Sequence, residues 1–128
     1  MNIYLDIKGV LLVNDKCMAK HAAEFVEYMV ANYPVYWLTT RCKGDAMFTV
    51  RFLEKFFDSK TIDTMRMIRP TNWETFKTEA IDFSTPFLWF DNYLLEEEKG
   101  ILKQKNCFDS WICVDLKKDE DQLKKYIK

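Results

Sequence analysis

Four short apolar runs, each closed by a polar residue and spaced by helix-length sequence, constrain this chain more than any other feature. They are Ile3-Tyr4-Leu5, closed by Asp6; Val35-Tyr36-Trp37-Leu38, closed by Thr39; Phe87-Leu88-Trp89-Phe90, closed by Asp91; and Trp111-Ile112-Cys113-Val114, closed by Asp115. A half-exposed strand alternates apolar and polar residues. Runs that stay apolar at successive positions belong to strands buried on both faces, the pattern of a parallel sheet. Met65 to Ile68 is a weaker strand candidate, third in chain order.

The segments between these runs carry helical periodicity. From Ala19 to Ala31, the residues Ala22, Ala23, Phe25, Val26, Met29 and Val30 form one apolar stripe, stopped by Asn32 and Pro34. A second helix is predicted over Ala46 to Phe57, capped by Asp45, with Phe48, Phe52, Leu53 and Phe56 on one side. Shorter helices are expected at Trp73 to Ile81, Leu94 to Lys105 and Lys118 to Ile127. Strand and helix thus alternate five times, which predicts a single α/β domain over residues 1–128 with helices on both faces of a mainly parallel sheet. Ligands bind such sheets beyond the carboxyl ends of the strands, where Asp6, Thr39, Asp91 and Asp115 stand.

Composition narrows the function classes. Lysine and arginine number 19 and aspartate and glutamate 20, for a formal net charge of −1, so no basic excess points to nucleic acid. The lysines near the end, from Lys117 to Lys128, read as a solvated face. The four cysteines include no C-x-x-C pair, and the only histidine, His21, is remote from a cysteine pair, which argues against a zinc site. No apolar stretch approaches the roughly 18 residues that span a bilayer. The expectation is a reduced, cytoplasmic protein without a leader, a disulfide framework or a membrane partner.

Asp6, Thr39, Lys77 and Asp91 suit phosphoryl transfer. An aspartate can attack phosphorus and split one hard displacement into two easier ones. A second carboxylate can help hold Mg²⁺, which favours oxygen ligands and substrate phosphates. A hydroxyl and an ammonium can bind the equatorial oxygens of the transferring group. Thr40 is the nearest rival to Thr39 for the hydroxyl.

These residues carry a resemblance. Tyr4-Leu5-Asp6-Ile7-Lys8-Gly9-Val10-Leu11 resembles the first motif of the haloacid dehalogenase (HAD) superfamily, a hydrophobic strand followed by Asp-x-Asp-Gly. Tyr36-Trp37-Leu38-Thr39 is similar to the second, Lys77 to the third, and Trp89-Phe90-Asp91-Asn92 to the fourth. The resemblance implies a three-layer Rossmannoid fold with a five-stranded sheet in the order 5-4-1-2-3, and the segments after Gly9 and after Arg69, about ten and about sixteen residues long, leave no room for a cap domain. It makes Asp6 the nucleophile and a Mg²⁺ ligand, with the Lys8 backbone carbonyl and Asp91 as further ligands. Thr39 and Lys77 would hold the phosphoryl group. Capless relatives take large substrates or use a partner as a lid, so a large phosphorylated ligand is expected.

Two residues depart from the pattern. Lys8 replaces the second aspartate, the general acid and base, whose work is typically worth about 10² to 10⁴ in rate. Lysine, with an unperturbed pKa near 10.4, does not take over that role. At roughly 6 Å and an effective dielectric of about 20, its ammonium would repel Mg²⁺ by on the order of 5 kcal/mol before the carboxylates offset it. Asn92 stands where the family often has another acid, though its amide can bind a metal-bound water. Three functions are therefore open: a slow or restricted HAD-like phosphohydrolase, a degenerate domain that binds a phosphorylated ligand or a protein, and a receiver-like domain phosphorylated on aspartate. The third is disfavoured because receivers place an acidic pair after the first strand, whereas Asp6 stands alone.

Overall fold

In a computed structural model that describes residues 1–128, strands β1 (Asn2–Leu5), β2 (Val35–Trp37), β3 (Phe87–Asp91) and β4 (Trp111–Cys113) form one sheet in the order β2-β1-β3-β4. Every pairing is parallel: Leu5 lies opposite Trp37 on one side and Phe90 on the other, and Asp91 lies opposite Cys113. The helices are α1 (Ala22–Asn32), α2 (Met47–Leu53), α3 (Ser59–Met65) and α4 (Glu96–Gln104).

The sheet has four strands rather than the expected five. The strand expected at Met65 to Ile68 is the end of α3 and the turn after it. Just beyond it, the Arg69 backbone pairs with β2, donating to Val35 O at 3.0 Å and accepting from Trp37 N at 2.8 Å. The helix prevails because Asp58 caps it, accepting from Thr61 N at 2.9 Å, and because Ile62 and Met65 then share the buried side. The helix expected over Ala46 to Phe57 stops at Leu53 and leaves Phe48 exposed, although Asp45 does accept from Met47 N at 2.8 Å. The segments expected as helices at Trp73 to Ile81 and Lys118 to Ile127 contain only 3₁₀ turns, Lys77–Ala80 and Gln122–Tyr126.

Strand geometry sends alternate side chains to opposite faces. Ile3 and Leu5 of β1, Val35 and Trp37 of β2 and Phe90 of β3 join the core beneath α1, α2 and α3. Tyr4, Phe87 and Trp89 face the other way and pack with Leu94, Ile81 and Leu102. Both faces are thereby covered, which is why the runs need no polar alternation. Phe25 of α1 meets Phe90 edge to face at 5.2 Å, and Tyr126 closes on Phe90 at 5.0 Å. Such pairs add about 0.5–1.5 kcal/mol each beyond area burial. They pin the carboxyl half of β3, and so Asp91, against α1.

Candidate active site

The first strand ends in a fixed loop. Asp6 N donates to Phe90 O at 3.0 Å and Leu38 N to Leu5 O at 2.8 Å, so β1 is bonded on both sides up to its last residue. The chain then turns about one acceptor: the Ile7 carbonyl receives the N–H groups of Val10, Leu11 and Leu12 at 3.1, 2.8 and 3.1 Å. Gly9 makes this turn with φ +90°, and a Cβ there would fall 2.5 Å from the Asn92 side chain. Glycine therefore lets the loop after β1 touch the loop after β3.

Lys77 reaches the same place from the opposite side. The carboxylate of Glu79 accepts from the backbone N–H groups of Glu74, Thr75 and Phe76, which shapes the approach to Lys77. The buried Glu98 of α4 accepts from Lys77 N at 2.9 Å and from Leu95 N at 3.1 Å. With its backbone held, Lys77 extends its ammonium to 2.7 Å from Asp91 Oδ2 and 3.5 Å from Asp6 Oδ2. The two carboxylates share one cation and lie close together.

Their surroundings differ. Both Asp91 oxygens are engaged: Oδ2 by Lys77, and Oδ1 by the N–H groups of Asn92 at 2.7 Å and Tyr93 at 3.3 Å. Asp6 Oδ1 accepts no hydrogen bond from the chain, and 12% of the Asp6 side chain remains open. Burial, then the charge of Asp6, pushes the Asp91 carboxyl up to about 7 against the pull of Lys77. Burial lowers the Lys77 ammonium, but Asp6 and Asp91 together outweigh it and hold Lys77 above its ordinary value.

A cleft of about 730 Å³ opens over these groups. Thr39 lines it too, buried, with Oγ1 accepting from Arg41 N at 3.3 Å and its hydroxyl proton uncommitted within the chain. Thr40, its rival in the sequence, also lines the cleft but is exposed. Asn92 packs on Gly9 at the rim. Lys8 does not sit on the floor beside the aspartates. Its side chain is 59% exposed and its ammonium pairs with Asp15 at 3.5 Å. The repulsion expected between Lys8 and a metal is thus reduced by solvent and by Asp15. Trp73 is half-buried in the cleft wall with the Lys43 ammonium 3.9 Å over its ring.

Sequence reasoning brought Asp6, Lys77 and Asp91 to one point, and the fold places them there. It missed Glu98, Glu79, Asp15 and Arg41. Glu98 had a signal, an acid three residues after Leu95 at a helix start, where a carboxylate can reach back to the free N–H groups. Asp15 and Arg41 had none, because they meet only through the folded loops. Compared with protein-family models, curated proteins and solved structures, the chain matches none.

Proposed function

We propose that the chain is a HAD-like phosphohydrolase that works through a phosphorylated Asp6. One observation carries this reading above all: a single half-buried ammonium, that of Lys77, joins two carboxylates from the ends of adjacent parallel strands. The strand order supports it as well, since β4-β3-β1-β2 agrees with four strands of the implied order, the fifth being absent. Asp6, which lines the cleft and whose Oδ1 accepts no hydrogen bond from the chain, attacks phosphorus through that oxygen. Lys77 and the Thr39 hydroxyl bind the equatorial oxygens and offset the charge gathering there. Glu98 acts through Lys77 by holding its backbone N–H, and Glu79 by holding the turn that precedes it.

Mg²⁺ suits the same place. It takes one or two carboxylates, keeps several waters and binds substrate phosphate oxygens. Asp6, Asp91 and the Lys8 carbonyl, which accepts no hydrogen bond from the chain, would hold it. When bound, it would neutralise the phosphoryl oxygens during transfer.

Without an acid at Lys8, turnover is slow for leaving groups that need a proton. The alternative is a domain that binds a phosphorylated ligand without turning it over. The direct contact of Lys77 with Asp91 favours it, because the ammonium already offsets one carboxylate in the absence of a metal. Hydrolysis of p-nitrophenyl phosphate with and without Mg²⁺, beside Asp6→Asn, separates the two. Mg²⁺-dependent hydrolysis lost in Asp6→Asn supports the phosphohydrolase. Hydrolysis that survives the substitution rules out Asp6 as nucleophile, and binding of phosphate without any hydrolysis favours the alternative.

A further inference from the structure

The mouth of the cleft has a charge opposite to its floor. The acids that line it, Asp6, Asp91 and Glu98, are all buried, and Glu98 is spent on backbone N–H groups. The exposed charged residues that line it, Lys8, Arg41 and Lys117, are all cations. Two of them are tied together: one Asp15 carboxylate meets Lys8 Nζ at 3.5 Å and an Arg41 terminal nitrogen at 3.5 Å. The Arg41 guanidinium also lies 3.9 Å over the Phe52 ring, which restrains it. Ion pairs this exposed contribute little to stability. One carboxylate between two cations leaves a net positive charge beside the cleft, in a chain whose net charge is −1. A simple monophosphate bound at Asp6, Thr39 and Lys77 would leave this charge unused.

We propose that this mouth is a subsite for the second phosphate of a phosphoric anhydride, held by Lys8, Arg41 and Lys117. The proposal rests on the phosphohydrolase reading and names its substrate class. Asp6 Oδ1 forms a bond to the terminal phosphorus, and the bridging P–O bond breaks with its electron pair on the bridging oxygen. The leaving group is then itself a phosphate. It departs as an anion without taking a proton, and the cations at the mouth stabilise it. Water next attacks the phosphorus on Asp6, restoring the carboxylate and releasing phosphate and a proton to solvent. A cation at position 8 suits this leaving group as an acid suits an alkoxide. Inorganic pyrophosphate and a nucleoside diphosphate share the chemistry.

The test is titration of the full chain carrying Asp6→Asn, in Mg²⁺, with phosphate, pyrophosphate and ADP, together with turnover of pyrophosphate, ADP and AMP by the unsubstituted chain. Pyrophosphate should bind at least about tenfold more tightly than phosphate, the scale of one further charge-assisted hydrogen bond. Adding Arg41→Gln or Lys8→Gln should reduce that ratio at least about threefold, and Lys60→Gln on α3, far from the cleft, should leave it unchanged. Tighter binding of ADP than pyrophosphate would identify a nucleoside source, and the reverse an inorganic one; either supports the subsite. Equal binding of phosphate and pyrophosphate, or a ratio indifferent to Arg41→Gln, overturns it. Asp6-dependent hydrolysis of p-nitrophenyl phosphate with no preference for pyrophosphate over AMP overturns the subsite alone. Absence of Asp6-dependent turnover on every substrate overturns the phosphohydrolase reading, and the titration still decides the subsite.

Discussion

The Lys77 ammonium stands 2.7 Å from the Asp91 carboxylate, and only 2% of the Asp91 side chain meets solvent. Removing one partner of a buried pair leaves an uncompensated charge and costs about 3–5 kcal/mol. Lys77→Met should therefore lower unfolding free energy by roughly this amount at pH 8, measured in urea, as well as abolishing turnover. The loss should shrink at pH 5, where the carboxyl accepts a proton. An equal loss at both values would mean that packing of the lysine stem, rather than its charge, is at stake.

Asp91 sets the pH dependence of the metal-free protein. Its folded pKa, about 7, lies above the unfolded value of 3.8, so the folded state holds the extra proton between them. That contribution to stability is full below the unfolded value and is lost as pH rises through 7. Lys77, held above its ordinary value, stays charged throughout this window. Melting temperature should fall between pH 5 and 8 without metal. Mg²⁺ should restore it at pH 8 and have little effect at pH 5, where protons compete for Asp91. In Asp91→Asn both trends should flatten, as thermal scans at the two pH values would reveal.

Gly9 joins the loops after β1 and β3. Gly9→Ala meets both a positive φ and the Asn92 side chain, and should cost about 2 kcal/mol or more. Asn92→Gly removes the collision and leaves the φ penalty. The double variant should thus recover part of the loss, giving a coupling of about 1 kcal/mol in a double-mutant cycle by urea unfolding. Strict additivity would show that backbone strain alone is responsible.

Lys8→Asp should raise hydrolysis of alkyl phosphates at least about tenfold, a floor below the usual contribution of acid–base catalysis. The gain should be smaller for p-nitrophenyl phosphate, whose leaving group needs no proton. Steady-state rates on both substrates check this. A gain equal for both would mean that the new carboxylate acts through its charge and not as an acid.

Much of this architecture was legible in the sequence because buried parallel strands are written as unbroken apolar runs. Ile3 to Leu5, Val35 to Leu38, Phe87 to Phe90 and Trp111 to Val114 all contain strands. Met65 to Ile68 misled because four residues cannot distinguish a strand from the buried side of a helix. The deciding signal lay upstream in the Asp58 cap, and the spacing of Ile62 and Met65 agrees with it. Phe48 misled in the opposite sense: it fits the apolar stripe, but α2 is only two turns long and turns it outward. At the site, Asp6, Thr39 and Asp91 were legible because strand ends locate them. Lys77 was legible only through the resemblance, since its place depends on Glu79 and Glu98 holding an irregular backbone. The direction of the Lys8 side chain was not legible, because it follows from the position of Asp15 in the folded loop.

That Asp6 accepts the phosphoryl group is tested most directly by locating the adduct. The protein would be incubated with Mg²⁺ and p-nitrophenyl phosphate, quenched in acid during turnover, digested and mapped by mass spectrometry. A phosphoryl group should appear on the peptide containing Asp6, be removed by hydroxylamine as an acyl phosphate is, and be missing in Asp6→Asn. Turnover with no adduct on Asp6, or an adduct that persists in Asp6→Asn, would contradict the assignment.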